Sequence, residues 1–325
     1  MLFSVRQKLR ALFKRSTKAR KWAAKTLVVG PSEPVDGDSV ACTKALINHL
    51  RKLGLDAYTL PTITMYPQLQ WILEPADLHP ACRQSATARL TTDNLQQAYD
   101  TLLEVWRPDE IVVVDGQDDR LGFDRRGVPT FTIDHHLDHG TRDDETACIQ
   151  SAPSAGCLLV SRFGVLEPIL AVSILTDTFW LRQNQPARAI ESLCALYHRG
   201  GLTDEVLTRM QRLLMVPKDP QVISELRTCD LRSDGDTVFA VLRTARPDIH
   251  RDCAANLGYY FRHLCVVRAD GYVSFRTDSP NENLPKLAAR YGGGGHSIMA
   301  ATHLASMEPA LLDRLHQDFL EAVHR

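Results

Sequence analysis

Short apolar runs alternate with amphipathic stretches along most of this chain. Lys25 to Gly30 (KTLVVG) reads as a strand. From Ser39 to Leu53, apolar residues recur at helical spacing (Val40, Leu46, Ile47, Leu50, Leu53), and Gly54 is placed to stop that helix. Leu55 to Met65 returns to β character. Asp93 or Asn94 suits the cap of a helix running to Trp106, with Pro108 just beyond its end. Glu110-Ile-Val-Val-Val-Asp115 and Thr130-Phe-Thr-Ile-Asp134 are runs rich in β-branched residues, as expected of parallel strands buried on both faces. Helices are expected at about 154–163 and 168–178.

This alternation predicts an α/β protein whose first domain is built on a doubly wound, mostly parallel sheet. Pro186 to Pro220 reads as polar helix joining two domains. A second α/β pattern starts near 222. It has a helix, strands at 237–243, 264–268 and 272–276, helices near 250–258 and 284–291, and then the glycines Gly292 to Gly295. The expected divisions are 1–24, a basic arm; 25–185, a catalytic domain; 186–221, a connector; and 222–325, a smaller α/β substrate-binding domain.

Composition changes this picture little. The chain has 325 residues, 44% hydrophobic and 24% charged, with a formal net charge of -1. That length suits two cores. The charge gives no global attraction to an anionic partner, so such a ligand has to be recognised locally. The eight cysteines form no CxxC pair and read as reduced thiols of a cytoplasmic protein. No apolar run approaches the roughly 20 residues of a membrane span.

The first 25 residues stand apart, with nine Lys or Arg and no acidic residue. Leu9, Leu12 and Phe13 can share one helical face there. Two readings stay open: an arm that makes weak contacts with nucleic acid or a membrane surface, and a plain solvated helix or disordered leader.

Acidic residues gather at one topological position. Asp36 and Asp38 lie just past the first strand, Asp115 ends the second buried one, and Asp134 ends the third. In an open α/β sheet, the C-terminal strand ends line the ligand crevice. Carboxylates collected there repel one another and lose hydration, which cations relieve. A mixed Asp and His set suits manganese, with magnesium the alternative, better than a structural zinc. A pair of such ions can serve an in-line phosphoryl displacement.

Four motifs then appear in order: Val35-Asp-Gly-Asp-Ser-Val-Ala41, Val112-Val-Val-Asp115, Thr132-Ile-Asp-His-His136 and Ile174-Leu-Thr-Asp-Thr178. Further on stand Tyr272-Val-Ser-Phe-Arg276 and Gly292-Gly-Gly-Gly-His-Ser297. Together they resemble the DHH phosphoesterases with their C-terminal DHH-associated domain, over about residues 25 to 305. The nano-RNase or oligoribonuclease members are the nearest in kind.

The resemblance implies a manganese-dependent phosphodiesterase that cuts short oligonucleotides or linear dinucleotides to mononucleotides. Other activities that it leaves open are a phosphatase on 3',5'-bisphosphorylated adenosine and a cyclic-dinucleotide phosphodiesterase. A nucleotide-binding regulator with decayed catalysis, and a homodimeric assembly, also stay open. By the same resemblance, Asp38, Asp115, His135 and Asp177 hold one metal, and Asp36 with a bridging Asp115 serves the other. His136 contacts the scissile phosphate, and Asp134 orients the histidines. Arg276, Gly293, Gly294, Gly295 and His296 bind a terminal phosphate or nucleotide. The chain departs from the pattern at one place: the first motif's usual histidine is replaced by Ser32, with Glu33 the nearest substitute ligand.

Overall fold

The computed structural model describes residues 20–30, 35–61, 69–83, 92–137, 140–178, 180–181, 185–215, 220–258, 260–278, 280–281 and 283–324. Most of the basic arm, together with Ser32, Glu33 and the end of the stretch expected to be β up to Met65, lies outside these residues. The chain divides into two compact units, Met1–Gln211 and Arg212–Arg325.

The first unit holds a six-stranded sheet in the order β2-β1-β3-β4-β6-β5. Its strands are β1 (Lys25–Val29), β2 (Asp56–Tyr58), β3 (Glu110–Val114), β4 (Thr130–Asp134), β5 (Arg142–Asp143) and β6 (Ala147–Ile149). All neighbours pair in parallel except β5 with β6. β2 is shorter than the apolar stretch that contains it. The helices are α1 (Gly37–Lys52), α2 (Thr92–Val105), α3 (Ala155–Phe163), α4 (Leu170–Asp177) and α5 (Pro186–Arg199), and α6 (Asp204–Met215) runs across the division into the second unit. α2 starts ahead of the Asp93 and Asn94 expected to cap it.

Leu27, Val29, Ile111 and Val113 pack with Leu95, Tyr99 and Leu102 of α2 in one core. The alternate strand residues Val28, Val112 and Val114 are fully buried and point the other way. α1, α3 and α4 pack on one another, α1 and α3 also pack on the sheet, and α5 packs on α3 and α4. The sheet is thus covered on both faces, which explains why β3 and β4 read as continuous apolar runs. The strand order reverses between β1 and β3, and the crevice past their C-terminal ends is where such sheets bind ligands.

The second unit has a six-stranded sheet in the order β11-β12-β10-β9-β8-β7. Its strands are β7 (Asp230–Asp234), β8 (Thr237–Val241), β9 (His263–Val267), β10 (Tyr272–Thr277), β11 (Gly294–Gly295) and β12 (Met299–His303). Only β8 and β9 run parallel. The helices are α7 (Pro220–Thr228), α8 (Pro247–Leu257), α9 (Asn283–Arg290) and α10 (Pro309–His324). Phe239, Cys265, Val273 and Phe275 face α9 and α10, whereas Val238, Ala240, Leu264 and Val266 face α7 and α8. All eight cysteines are unpaired. Among the described residues, no helix is long and apolar enough to cross a membrane.

Candidate metal centre

Each side chain of the centre is placed by the end of an element. Asp36 is the N-cap of α1, where its carboxylate accepts from the Ser39 N–H at 3.0 Å. That fixes the start of the helix and puts Asp38 in its first turn, where the helix dipole favours a carboxylate. Gly37 is required between them. A Cβ there would come within 2.5 Å of the Thr176 hydroxyl, so only glycine lets α1 begin against the end of α4. That close approach brings Asp38 and Asp177 together.

Asp38 is fully buried and heavily hydrogen-bonded. Its Oδ1 accepts from the Ser173 hydroxyl at 2.7 Å and from the Cys42 thiol at 3.1 Å. Backbone donors come from the start of α3: the Ala155 N–H to Oδ2 at 2.7 Å and the Gly156 N–H to Oδ1 at 3.3 Å. Ser154 caps the same helix through the Cys157 N–H at 3.2 Å. Asp38 therefore sits on a second helix N-terminus.

Asp115 follows the last residue of β3 with φ of 60°, a left-handed conformation that an aspartate tolerates but that costs energy. Its N–H still donates to the Ile133 carbonyl of β4 at 2.8 Å, so the turn happens at a fixed point. The Ser39 hydroxyl donates to its Oδ2 at 2.7 Å.

His135 follows β4 directly. Its Nδ1 lies 3.2 Å from the Ala152 carbonyl. A carbonyl only accepts, so Nδ1 carries a proton, and whenever the ring is neutral its lone pair is on Nε2. That atom lies 3.1 Å from Asp177 Oδ2, 3.4 Å from Asp115 Oδ1 and 3.5 Å from Asp38 Oδ2. Asp177 is the last residue of α4, a helix end where a negative charge is disfavoured and whose final turn has no basic residue. His136 turns its Nδ1 to Asp134 Oδ1 at 2.8 Å, and its N–H donates to the same oxygen at 3.1 Å.

The electrostatics follow from burial. Desolvation, and then the Asp177 charge, push the Asp38 carboxyl up to about 6. Burial, and then Asp38 and Asp36, hold Asp115 well above the ordinary carboxylate range. Burial works to lower the His135 pKa, but Asp115 and Asp177 outweigh it and raise it well above the ordinary imidazole value. Burial also works to raise Asp134, yet the His136 hydrogen bonds prevail and keep it below the ordinary value. The interior cluster therefore favours added positive charge, and the buried Asp134 stays ionised.

The residues fit a divalent cation. Asp115 Oδ1 and His135 Nε2 are both buried and without a hydrogen bond, an expensive condition for two polar atoms that face each other. Candidate ligand atoms of Asp38, His135 and Asp177 lie within 4.8 Å of one another, as do those of Asp115, His135 and His136. The donors are hard carboxylate oxygens with imidazole nitrogen, and no thiolate joins either group, a set that suits magnesium or manganese.

Sequence reasoning misses the hydroxyls of Ser39 and Ser173 that hold the carboxylates in place, and Ser154, which caps α3 and lies 3.2 Å from the Ser173 hydroxyl. Of these, Ser154 had a readable signal, since a serine ahead of a helix is a recognised cap. Asp36 is brought beside Asp115 through Ser39, which lies 3.1 Å from Asp36 Oδ1.

Arg276 and His296 belong to the second unit. Arg276 pairs in register with Met299, and the His296 and Met299 backbones bond to each other across the turn into β12. The two residues therefore fall at one end of that sheet. The glycines before His296 have separate reasons. A Cβ on Gly293 would lie 2.0 Å from the Ala301 carbonyl, and one on Gly295, at φ of 147°, would lie 2.4 Å from the Ala300 Cα. Gly293 and Gly295 thus allow the chain to lie against β12, whereas Gly294 faces open space.

No protein-family model and no curated protein matches the chain. Among solved structures it is similar to an exopolyphosphatase-related protein from Bacteroides fragilis. That match has a TM-score of 0.67 and 19% identity, over 97% of this chain and 95% of the other. Two looser matches are a pGpG-specific phosphodiesterase, PggH, from Vibrio cholerae and RecJ with Mg2+ from Thermus thermophilus. The first has a TM-score of 0.42 and 16% identity over 90% and 99% of the two chains. The second has 0.37 and 13% over 99% and 52%. The chain shares its two-unit α/β fold over nearly its full length with the Bacteroides protein.

Proposed function

We propose that this protein is a metal-dependent DHH phosphoesterase that hydrolyses short oligonucleotides or linear dinucleotides to mononucleotides. The observation that carries this reading is the convergence of Asp38, Asp115 and Asp177 within 3.5 Å of one imidazole nitrogen, His135 Nε2. These three and His135 come from four separate segments, and Asp115 Oδ1 and His135 Nε2 are buried without a hydrogen bond. The order and content of the four sequence motifs support the same reading.

Asp38, Asp115, His135 and Asp177 would hold the cation, with manganese preferred and magnesium the alternative. When bound, such an ion neutralises phosphoryl oxygens and lowers the pKa of water. The chain's own groups do the rest. Asp134 remains ionised and fixes the His136 ring through Nδ1, which leaves Nε2 as the atom for the scissile phosphate. Asp38 and Asp115 stay in position because Ser173, Ser39 and the start of α3 bind them from behind. Such outer partners set ligand orientation and affinity. In the second unit, Arg276 and His296 would take the substrate's terminal phosphate, and the open face of Gly294 would let a backbone amide approach it.

The test is turnover with manganese against a panel: linear dinucleotides, longer RNA and DNA, cyclic dinucleotides, inorganic polyphosphate and 3',5'-bisphosphorylated adenosine. Mononucleotide release that is fastest from the linear dinucleotides or the shortest oligomers is expected. Preference for any other member would replace the substrate assignment, and no turnover of any member would defeat the enzyme reading.

A further inference from the structure

The basic arm joins the first unit at the rim opposite the metal centre. Arg20 ion-pairs with Glu110, the first residue of β3, and donates to the Glu145 carbonyl at 3.5 Å, just ahead of β6. Its guanidinium lies 3.4 Å from the ring centroid of Phe131, near the start of β4. Trp22 packs against Phe131 and against Phe163, the last residue of α3, with ring centroids 6.3 and 5.6 Å apart. β1, β3, β4 and β6 run parallel, so their starts share one rim and their ends the other. The centre stands past the ends. β3 has five residues, which puts Asp115 about 16 Å from Glu110 at roughly 3.3 Å per residue.

The rim of strand starts also exposes apolar side chains. Leu53, the C-cap of α1, is 56% exposed, and Val105, the last residue of α2, is 65% exposed. Each stands a few residues ahead of a strand start, β2 and β3 respectively. Three acids of that rim are engaged. Asp56 accepts from Trp106 Nε1 at 2.8 Å, Asp109 accepts from the Lys25 N–H at 3.0 Å, and Glu110 holds Arg20. Lys52, Arg107 and Glu104 are exposed there as well, so a strong positive charge has to come from the arm.

Residues 1–19 lie outside the described residues, and their sequence is of one kind. Six of the 38 Lys and Arg and none of the 39 Asp and Glu fall there, which leaves 32 against 39 in the rest of the chain. At helical spacing, Leu2, Val5, Leu9, Leu12 and Phe13 share an arc of about 100°, and all six cations fall outside it. Leu and Phe on one side with Lys and Arg on the other is the pattern of a helix lying in the plane of an anionic lipid surface. Nucleic acid would use the charges but gives a leucine face nothing to bury in.

We propose that residues 2–16 bind an anionic membrane surface as an amphipathic helix. The Arg20–Trp22 anchor then turns the strand starts of the first unit, with Leu53 and Val105, toward the lipid. Phe13 is seven residues from Arg20, which tethers the apolar face within about 25 Å of that rim. The metal centre is left on the far rim, open to substrate from water. Attachment by one short helix is reversible and weakened by salt. It is independent of what the centre hydrolyses.

The experiment sediments the full chain with vesicles of phosphatidylcholine alone, or with about one-third phosphatidylserine. Binding to duplex DNA and single-stranded RNA is measured beside it. Binding to the phosphatidylserine vesicles alone is expected, with a gain of helix by circular dichroism and loss at high salt. Leu9→Ser combined with Phe13→Ser keeps every charge and should weaken vesicle binding at least about ten-fold. Lys14→Gln and Arg15→Gln should each weaken it about five-fold. No binding to the anionic vesicles, or binding that the double serine variant retains in full, would overturn the proposal. So would tighter binding to DNA or RNA than to the vesicles, which would make the arm a nucleic-acid contact. Hydrogen–deuterium exchange on the vesicle-bound chain reads the orientation. Protection is expected in residues 2–16 and in the turns at 53–56 and 105–109, and none at 115–117 or 135–137. Protection at the latter two, or none at the two turns, would overturn the orientation.

Discussion

The Ser173 hydroxyl donates to Asp38 Oδ1 at 2.7 Å, from the same helix that carries Asp177 one turn later. One short helix therefore both steadies one carboxylate from behind and presents another. The Asp38 charge is spread over Ser173, Cys42 and two backbone amides. Ser173→Ala removes one of those donors and is expected to cost about 1–2 kcal/mol of stability. It should also weaken cation binding, though less than Asp38→Asn does. Thermal melts and a metal titration check this, and unchanged values in both would show that Ser173 does not position Asp38.

A second prediction concerns the helix packing behind the centre. A Cβ at Gly156 would lie 2.0 Å from Ser173 Oγ and 2.9 Å from its Cβ. Gly156→Ala should therefore destabilise the first unit by about 1–3 kcal/mol, the usual scale of overpacking. The two sites share a contact, so their effects should not add. In a Ser173→Ala background the closest clash is gone, and Gly156→Ala should cost less than it does alone. Additive costs in denaturant unfolding would contradict the packing described.

The pH dependence has a definite sign. The Asp38 carboxyl is raised from 3.8 to about 6 by burial and by Asp177, and Asp115 is also held well above the ordinary carboxylate value by burial and by Asp38. In the metal-free protein these groups contribute stability that is fully present below about 4 and is lost as pH rises through about 6 and beyond. The raised pKa of His135 acts in the same direction at higher pH. Asp134, held low by His136, acts oppositely, but only at more acid pH. A bound cation takes the place of those protons, so affinity should rise with pH. The stability gained from manganese, measured as the difference between loaded and chelated protein, should thus grow between about pH 4 and 7. A gain that is flat across that window would mean that the cation does not bind at these carboxylates.

Much of the first unit could be read from the chain because its central strands are buried on both faces. Ile111 to Val114 and Phe131 to Ile133 have no polar side chain other than Thr132, and each run ends on an aspartate of the centre. The edge strands are harder to read. β7 is Asp-Leu-Arg-Ser-Asp and mostly exposed, and β5 has two exposed residues. Neither carries an apolar pattern, since sheet edges are paired through backbone and tolerate polar side chains. β11 consists of two glycines, legible only through its pairing with β12. α10 is different, because Leu312, Leu315, Phe319 and Ala322 give it an apolar face at helical spacing.

At the centre, the carboxylates and histidines stand out because their motifs set them at strand ends. The serines behind them do not. Nothing in the sequence separates Ser173, inside an otherwise apolar helix, from a serine that merely returns its hydroxyl to the helix backbone. Its role depends on α1 and α4 touching, and that contact depends on Gly37 having no side chain beside Thr176. The reason for Gly293 and Gly295 is equally hidden, because it lies in a strand that follows them in sequence.

The central claim concerns a cation at His135 Nε2, and anomalous diffraction from crystals grown with manganese tests it most directly. The account predicts an anomalous peak about 2.0–2.3 Å from His135 Nε2 and from carboxylate oxygens of Asp38, Asp115 and Asp177. That peak should be absent from His135→Ala crystals grown in the same way. Fully bound manganese located elsewhere, or no peak in the wild type at saturating manganese, would contradict it.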